Sequence, residues 1–173
     1  YRRQRQMCIR DRSNHQPLVM NAPGVQVTYE YDASQRLSSV RRVVDGEVTQ
    51  RKYHYEVMDN PNLLTGITDE LGVRYATWSY DAEGRAISSE HAGGADRVEI
   101  AYNDDGSATV TNELGKKATY RFQTIQGIKR ITAIEGEPSP NCPSSNSTFT
   151  YDDRGLLKTK TDNKGIVTTY DYN

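Results

Sequence analysis

Carboxylates, histidines and tyrosines are the side chains through which this sequence could do chemistry. Asp32, Asp69, Asp81, Asp152 and Asp162 are numerous enough to supply an acid and base pair for glycoside hydrolysis, which needs two carboxyl groups facing one bond. A nucleophilic triad would draw on His15, His54 or His91, the three histidines of the chain. The 12 tyrosines, against 2 Phe and 1 Trp, could offer rings and hydroxyls to carbohydrate. Their spacing assigns these residues to other work. The five aspartates hold one equivalent place in successive repeats, and a residue repeated for geometry is poor evidence for a unique site. His15 falls in an irregular lead, His54 lies between Tyr53 and Tyr55 and so points away from the tyrosine face, and His91 precedes Gly93-Gly94; solvent-exposed histidines account for all three. No compact run of alternating carboxylates matches a calcium loop, and Lys116-Lys117 lacks the upstream glycine of a phosphate loop. No catalytic residue, metal or cofactor is expected.

The elements that position these side chains are read from an internal repeat. Tyr29-Glu30-Tyr31-Asp32, Trp78-Ser79-Tyr80-Asp81, Ile100-Ala101-Tyr102-Asn103 and Phe149-Thr150-Tyr151-Asp152 share an apolar-x-Tyr pair followed by a turn. Tyr53-His54-Tyr55-Glu56 is a degenerate copy, and Tyr170-Asp171-Tyr172-Asn173 a last one. Tyr31, Tyr55, Tyr80 and Tyr102 succeed one another at 24, 25 and 22 residues, and Tyr151 and Tyr172 lie 21 apart. A period of this size marks a repeat architecture.

Each repeat resolves into strands and turns. Asp or Asn followed three residues later by Gly satisfies a type I turn, the first capping its own backbone and the second accepting the strained position. Asp69 to Gly72, Asp81 to Gly84, Asn103 to Gly106, Asn112 to Gly115, Asp152 to Gly155 and Asp162 to Gly165 fit. After Asp32 the expected glycine is replaced by Gln35, and Asp45-Gly46 then supplies a two-residue hairpin signal. Between turns the side chains alternate: Val25, Val27, Tyr29 and Tyr31 share one face against Gln26, Thr28 and Glu30, and Val98, Ile100 and Tyr102 repeat the pattern. The tyrosines are expected to stack as a ladder on the buried face with their hydroxyls paired. The predicted fold is all-β, tandem antiparallel β-hairpin repeats forming a curved, open sheet segment, with essentially no helix.

Composition agrees and excludes other classes. Only 35% of the residues are hydrophobic, and Tyr and Thr favour half-buried strands while Asp and Gly favour turns. With 22 basic and 23 acidic residues and a net charge of −1, the chain carries no broad basic footprint for nucleic acid. No apolar run approaches a membrane span, and no signal peptide is visible. Cys8 and Cys142 fall in irregular segments and set no disulfide framework.

Four segments follow. Residues 1–20, with five arginines in the first twelve, read as an irregular lead, disordered or foreign to the domain; a basic tail for anionic partners is the functional alternative. Residues 21–134 carry repeats, 135–147 form a Pro/Ser-rich surface loop insertion, and 148–173 hold a further repeat truncated at the C-terminus. Asn146-Ser147-Thr148 is a glycosylation sequon, of use only where the producing cell glycosylates secreted proteins. A repeat array cut open exposes a strand edge, so the isolated chain is expected to be marginal and aggregation-prone.

The Tyr-x-Tyr-Asp-x-x-Gly-Arg/Leu pattern, as in Trp78 to Arg85 and Tyr151 to Leu156, closely resembles the tyrosine-aspartate (YD) repeat of the Rhs family. Thr68 to Gly72, Thr111 to Gly115 and Thr161 to Gly165 match the second half of that repeat. The resemblance runs from about residue 25 to residue 173. It implies a sheet ribbon wound into a hollow cocoon, as in bacterial Rhs polymorphic toxins, toxin-complex C subunits and teneurins. In the bacterial members the shell encloses a C-terminal toxin for delivery to competing cells, often through a type VI secretion spike. No segment here resembles the self-cleaving terminus of an Rhs core, so neither protease nor toxin is assigned to these residues. The expectation is a secreted or cell-surface structural wall whose partners are the remainder of its own shell, the toxin and a spike protein. The alternative is a module binding carbohydrate or a surface protein; a hydrolase would need two carboxylates outside the repeated turn position.

Overall fold

The computed structural model describes residues 16–138 and 146–173, together with the main chain of Cys8–Asp11. The chain forms two compact units, Tyr1–Ala95 and Asp96–Asn173. Both are all-β. The first contains β1 (Cys8–Asp11), β2 (Pro17–Ala22), β3 (Val25–Tyr31), β4 (Leu37–Val44), β5 (Glu47–His54), β6 (Gly66–Thr68), β7 (Arg74–Tyr80) and β8 (Ala86–His91). Each strand pairs antiparallel with its sequence neighbours. The second contains β9 (Val98–Tyr102), β10 (Ala108–Thr111), β11 (Lys117–Ile125), β12 (Ile128–Gly136), β13 (Ser147–Tyr151), β14 (Leu157–Thr161) and β15 (Val167–Thr169), again as an antiparallel meander. One helical turn, Ala92–Gly94, is the only helix among the described residues.

Turn chemistry explains the meander. At Asp32, Asp69, Asp81, Asn103, Asn112, Asp152 and Asp162 the N–H donates to the carbonyl four residues on, at 2.8–3.0 Å. The residue three further on donates back at 2.9–3.1 Å. Gly72, Gly84, Gly106, Gly115, Gly155 and Gly165 occupy that fourth position with φ of 75–80°. This is a type I turn closed by a left-handed residue, the three-residue hairpin connection. Gln35 stands in the same place with φ of 63°, so the glycine-free first turn keeps the geometry and carries the strain of a side chain there. Asp45-Gly46 and Gln126-Gly127 both have positive φ and make two-residue hairpins. The second has no Asn or Asp to announce it in the sequence.

Burial is shallow. Val27, Ala76 and Ala108 are the buried apolar residues among those described, and no large side chain is fully enclosed. Alternation along β3 puts Val25, Val27 and Tyr29 opposite Val44, Arg42 and Val40 of β4, an apolar face interrupted by a guanidinium. A register shift between Glu30 and Tyr31 follows, so Tyr31 stands outside the strict alternation expected of it. The same shift recurs at Ser79/Tyr80 and Thr150/Tyr151.

Two boundaries differ from the sequence expectation. The segment 1–20 was expected to be irregular, yet Pro17–Ala22 is a strand, its last four residues aligned with Val25–Thr28 of β3 across the Pro23-Gly24 turn. Cys8–Asp11 pairs with it in turn. Pairing to a neighbour sets these strands where their own alternation is too weak to announce them. The expected loop insertion 135–147 is narrower, because β12 runs to Gly136 and β13 begins at Ser147. The basic stretch 1–7, His15 and Cys142 lie outside the described residues, as does the side chain of Cys8.

Candidate functional site

The repeated residues build two devices. The first is the carboxylate cap. Asp32 Oδ1 accepts from the N–H of Ser34 and of Arg36, both at 2.9 Å. Asp69, Asp81, Asn112, Asp152 and Asp162 each accept the corresponding two N–H groups at 2.8–3.1 Å. The Arg36 N–H holds the Asp32 carboxyl below the usual carboxylate range, and that of Leu156 does so for Asp152. At Asp81 partial desolvation pushes the other way, yet the Arg85 N–H and guanidinium still win. Asn103 departs from the set: its Nδ2 donates to Ser107 Oγ at 2.8 Å, and Asp105 caps the Ser107 N–H instead. In each of the other caps both turn amides bond one side-chain oxygen, Oδ1.

The second device is a hydroxyl latch. Tyr31 Oη donates to the Pro17 carbonyl at 2.9 Å, Tyr80 Oη to Leu64 at 2.7 Å, and Tyr151 Oη to Ile131 at 2.7 Å. Tyr55, in the copy that looked degenerate, does the same to Leu37 at 3.1 Å. In each case the acceptor belongs to the preceding strand or its flank, beyond the last paired residues. The phenol thus replaces a main-chain donor where two strands part. These four rings are half-buried, whereas Tyr102 is 38% exposed. Arginines cover two of them: the Arg36 guanidinium lies 4.6 Å from the Tyr55 ring centre and that of Arg130 lies 5.7 Å from Tyr151.

A polar cluster invisible to repeat analysis sits beside Tyr55. Arg74 reaches Glu56 through two bonds, at 2.9 and 3.1 Å, and the Thr65 carbonyl at 3.0 Å. Thr65 Oγ1 donates to Glu56 at 2.8 Å. Hydrogen bonds from Arg74, then from Thr65, pull the Glu56 carboxyl down to about 2. Gly66 makes room for this, since a Cβ there would collide with the Arg74 guanidinium. His54 was expected to be solvent-exposed and is instead half-buried, 2.7 Å from Thr68 Oγ1. Burial, then the nearby Arg74 charge, lowers its pKa. His54 pairs with Gly66 of β6, a strand whose flanking of the histidine its own alternation does not encode. His91 is exposed, tilted against the Tyr75 ring with centres 5.0 Å apart.

Two of the clefts on the sheets bear on the repeat residues. One, of about 360 Å³, gathers Val27, Val40, Arg42, Arg51 and Tyr53 in the first unit. The other, of about 730 Å³, lies in the second unit between the β11–β12 hairpin and β13, over Phe149 and Tyr151. No group of three or more His, Cys, Asp or Glu suited to a metal ion exists among the described residues. No helix among them is long and apolar enough to cross a membrane. Asn146 of the sequon is exposed, its Oδ1 accepting from the Gly136 N–H at 3.0 Å.

No protein-family model matches the chain, and no curated protein does. Among solved structures the chain is similar to the crystal structure of TcdB2-TccC3 without its hypervariable C-terminal region, at a TM-score of 0.31 and 13% identity. The alignment covers 91% of this chain and 11% of that one.

Proposed function

We propose that the chain is a wall segment of a secreted or cell-surface Rhs-type shell that encloses a C-terminal toxin for delivery to competing cells. The repeated pairing of a tyrosine latch with a capped turn carries this reading. It stitches one strand to the next by local rules and so can be extended indefinitely, as a wall must be, without a central core. In this reading the chain has no active site, and its repeat carboxylates serve as turn caps. Its partners are the rest of the shell, the toxin and a secretion spike. The test uses the full reading frame: limited proteolysis of the purified product with mass spectrometry. The expected result is protection of the segment beyond the repeats until denaturant breaches the wall. Digestion of that segment at the rate of a free peptide would refute the reading.

A module that binds carbohydrate or a surface protein is the second reading, favoured by the 38% exposure of Tyr102. Glycan-array binding lost in Tyr102→Ala with the fold retained would support it.

A further inference from the structure

The cleft over Phe149 and Tyr151 arises because β12 and β13 separate. They pair only at Ala133 with Thr148 and Ile134 with Ser147, although β12 continues back to Ile128 and β13 forward to Tyr151. Ile125 and Ile128 close a two-residue hairpin and therefore bond to each other, so alternation turns the main-chain groups of Lys129 and Ile131 away from β11. The Ile131 carbonyl accordingly accepts from Tyr151. On the facing strand Asp152 bonds back to Leu156, so Tyr151 and Phe149 turn theirs toward the gap. Gln126 Nε2 donates to the Asp153 carbonyl at 2.7 Å and ties the hairpin tip to the Asp152 turn, closing one end.

What lines the gap is as specific as its main chain. The Phe149 ring offers an apolar floor and Gln123 an amide. Asp152 is spent on its turn and on Arg154, 3.2 Å away. The Asp153 carboxylate has no hydrogen bond or ion pair among the described residues. Two strand edges with inward-facing main-chain groups, an aromatic floor and an uncommitted carboxylate suit an extended polypeptide with a basic side chain.

We propose that this cleft binds an extended peptide segment of a partner polypeptide by strand addition, with a lysine or arginine of that segment placed at Asp153. The Lys129 and Phe149 main-chain groups supply the ladder, and the incoming strand displaces the Tyr151 hydroxyl from the Ile131 carbonyl, which it bonds at 2.7 Å in the free chain. The inference stands on the geometry of the second unit alone and does not depend on the shell reading.

The test is an amide NMR titration of the ¹⁵N-labelled chain with the capped peptide Thr-Val-Lys-Val-Thr-Val. Shifts are expected at Lys129, Ile131 and Phe149. Replacing the peptide lysine with glutamate, or Asp153→Asn in the protein, should weaken binding at least tenfold, and N-methylation of alternate peptide amides should abolish it. Asp153 is exposed and its carboxylate carries no structural bond, so an unchanged amide spectrum for D153N verifies the fold. Absence of shifts at those amides, equal binding of the N-methylated peptide, or indifference to the lysine and to Asp153 would each overturn the proposal. So would cellohexaose producing the same shifts, which would assign the cleft to carbohydrate.

Discussion

At position 80 a phenol oxygen stands 2.7 Å from the Leu64 carbonyl, and the same contact recurs from Tyr31, Tyr55 and Tyr151. Phenylalanine keeps the ring and deletes only that bond. Tyr80→Phe is therefore expected to cost about 1 kcal/mol, the usual net worth of a hydrogen bond, and a urea melt of each variant measures it. The sequence showed that these tyrosines alternate and recur, but the hydroxyl's acceptor lies 14–20 residues upstream, at a distance no local pattern encodes. Gln35 presents the opposite case. Its departure from glycine was legible at once, and the structure adds that the turn is kept at φ of 63°. Gln35→Gly relieves that strain while loosening the unfolded chain, for a net gain of roughly 0.5–1 kcal/mol by the same melt. A loss on substitution would mean that the glutamine side chain contributes something the turn geometry does not show.

Among the elements, the turns were the most legible because Asp, Asn and Gly act within five residues. The β5–β6–β7 region was the least. Glu56 looked like a failed aspartate, yet it anchors Arg74 across Gly66, a pairing that depends on register between strands distant in sequence. Similarly, the early parting of β12 and β13 leaves no trace in either strand's own alternation. The Glu56 ion pair sets an acid dependence for this region. Its carboxyl is depressed from the ordinary 4.5 to about 2, so its stabilisation is present above pH 4.5 and lost as pH falls through about 2. An NMR titration of the Glu56 side chain should find its midpoint near 2 and, in Arg74→Gln, a midpoint returned toward 4.5. Gly66→Ala should act through the same route, since the new methyl displaces the guanidinium. An unchanged Glu56 midpoint in G66A would separate the glycine from the ion pair.

Over the whole molecule, what is missing from the interior governs behaviour. Val27, Ala76 and Ala108 are small, and in each unit strands pack chiefly against sequence neighbours, so stability is a sum of local terms rather than the closing of one core. Thermal unfolding should accordingly be broad, with a calorimetric enthalpy exceeding the van't Hoff value; equality of the two in scanning calorimetry would show a cooperative unit that these contacts do not supply. The latch tyrosines have a mechanical consequence within each unit. A main-chain N–H is fixed in the plane of its strand, but a phenol sits on a long arm whose hydroxyl hydrogen rotates to follow its acceptor. Wherever such an arm bridges two strands, the join can open or close slightly without breaking. Each repeat is therefore stiff where its backbones pair and yielding where its tyrosine reaches across, like a leaf spring clamped at one end.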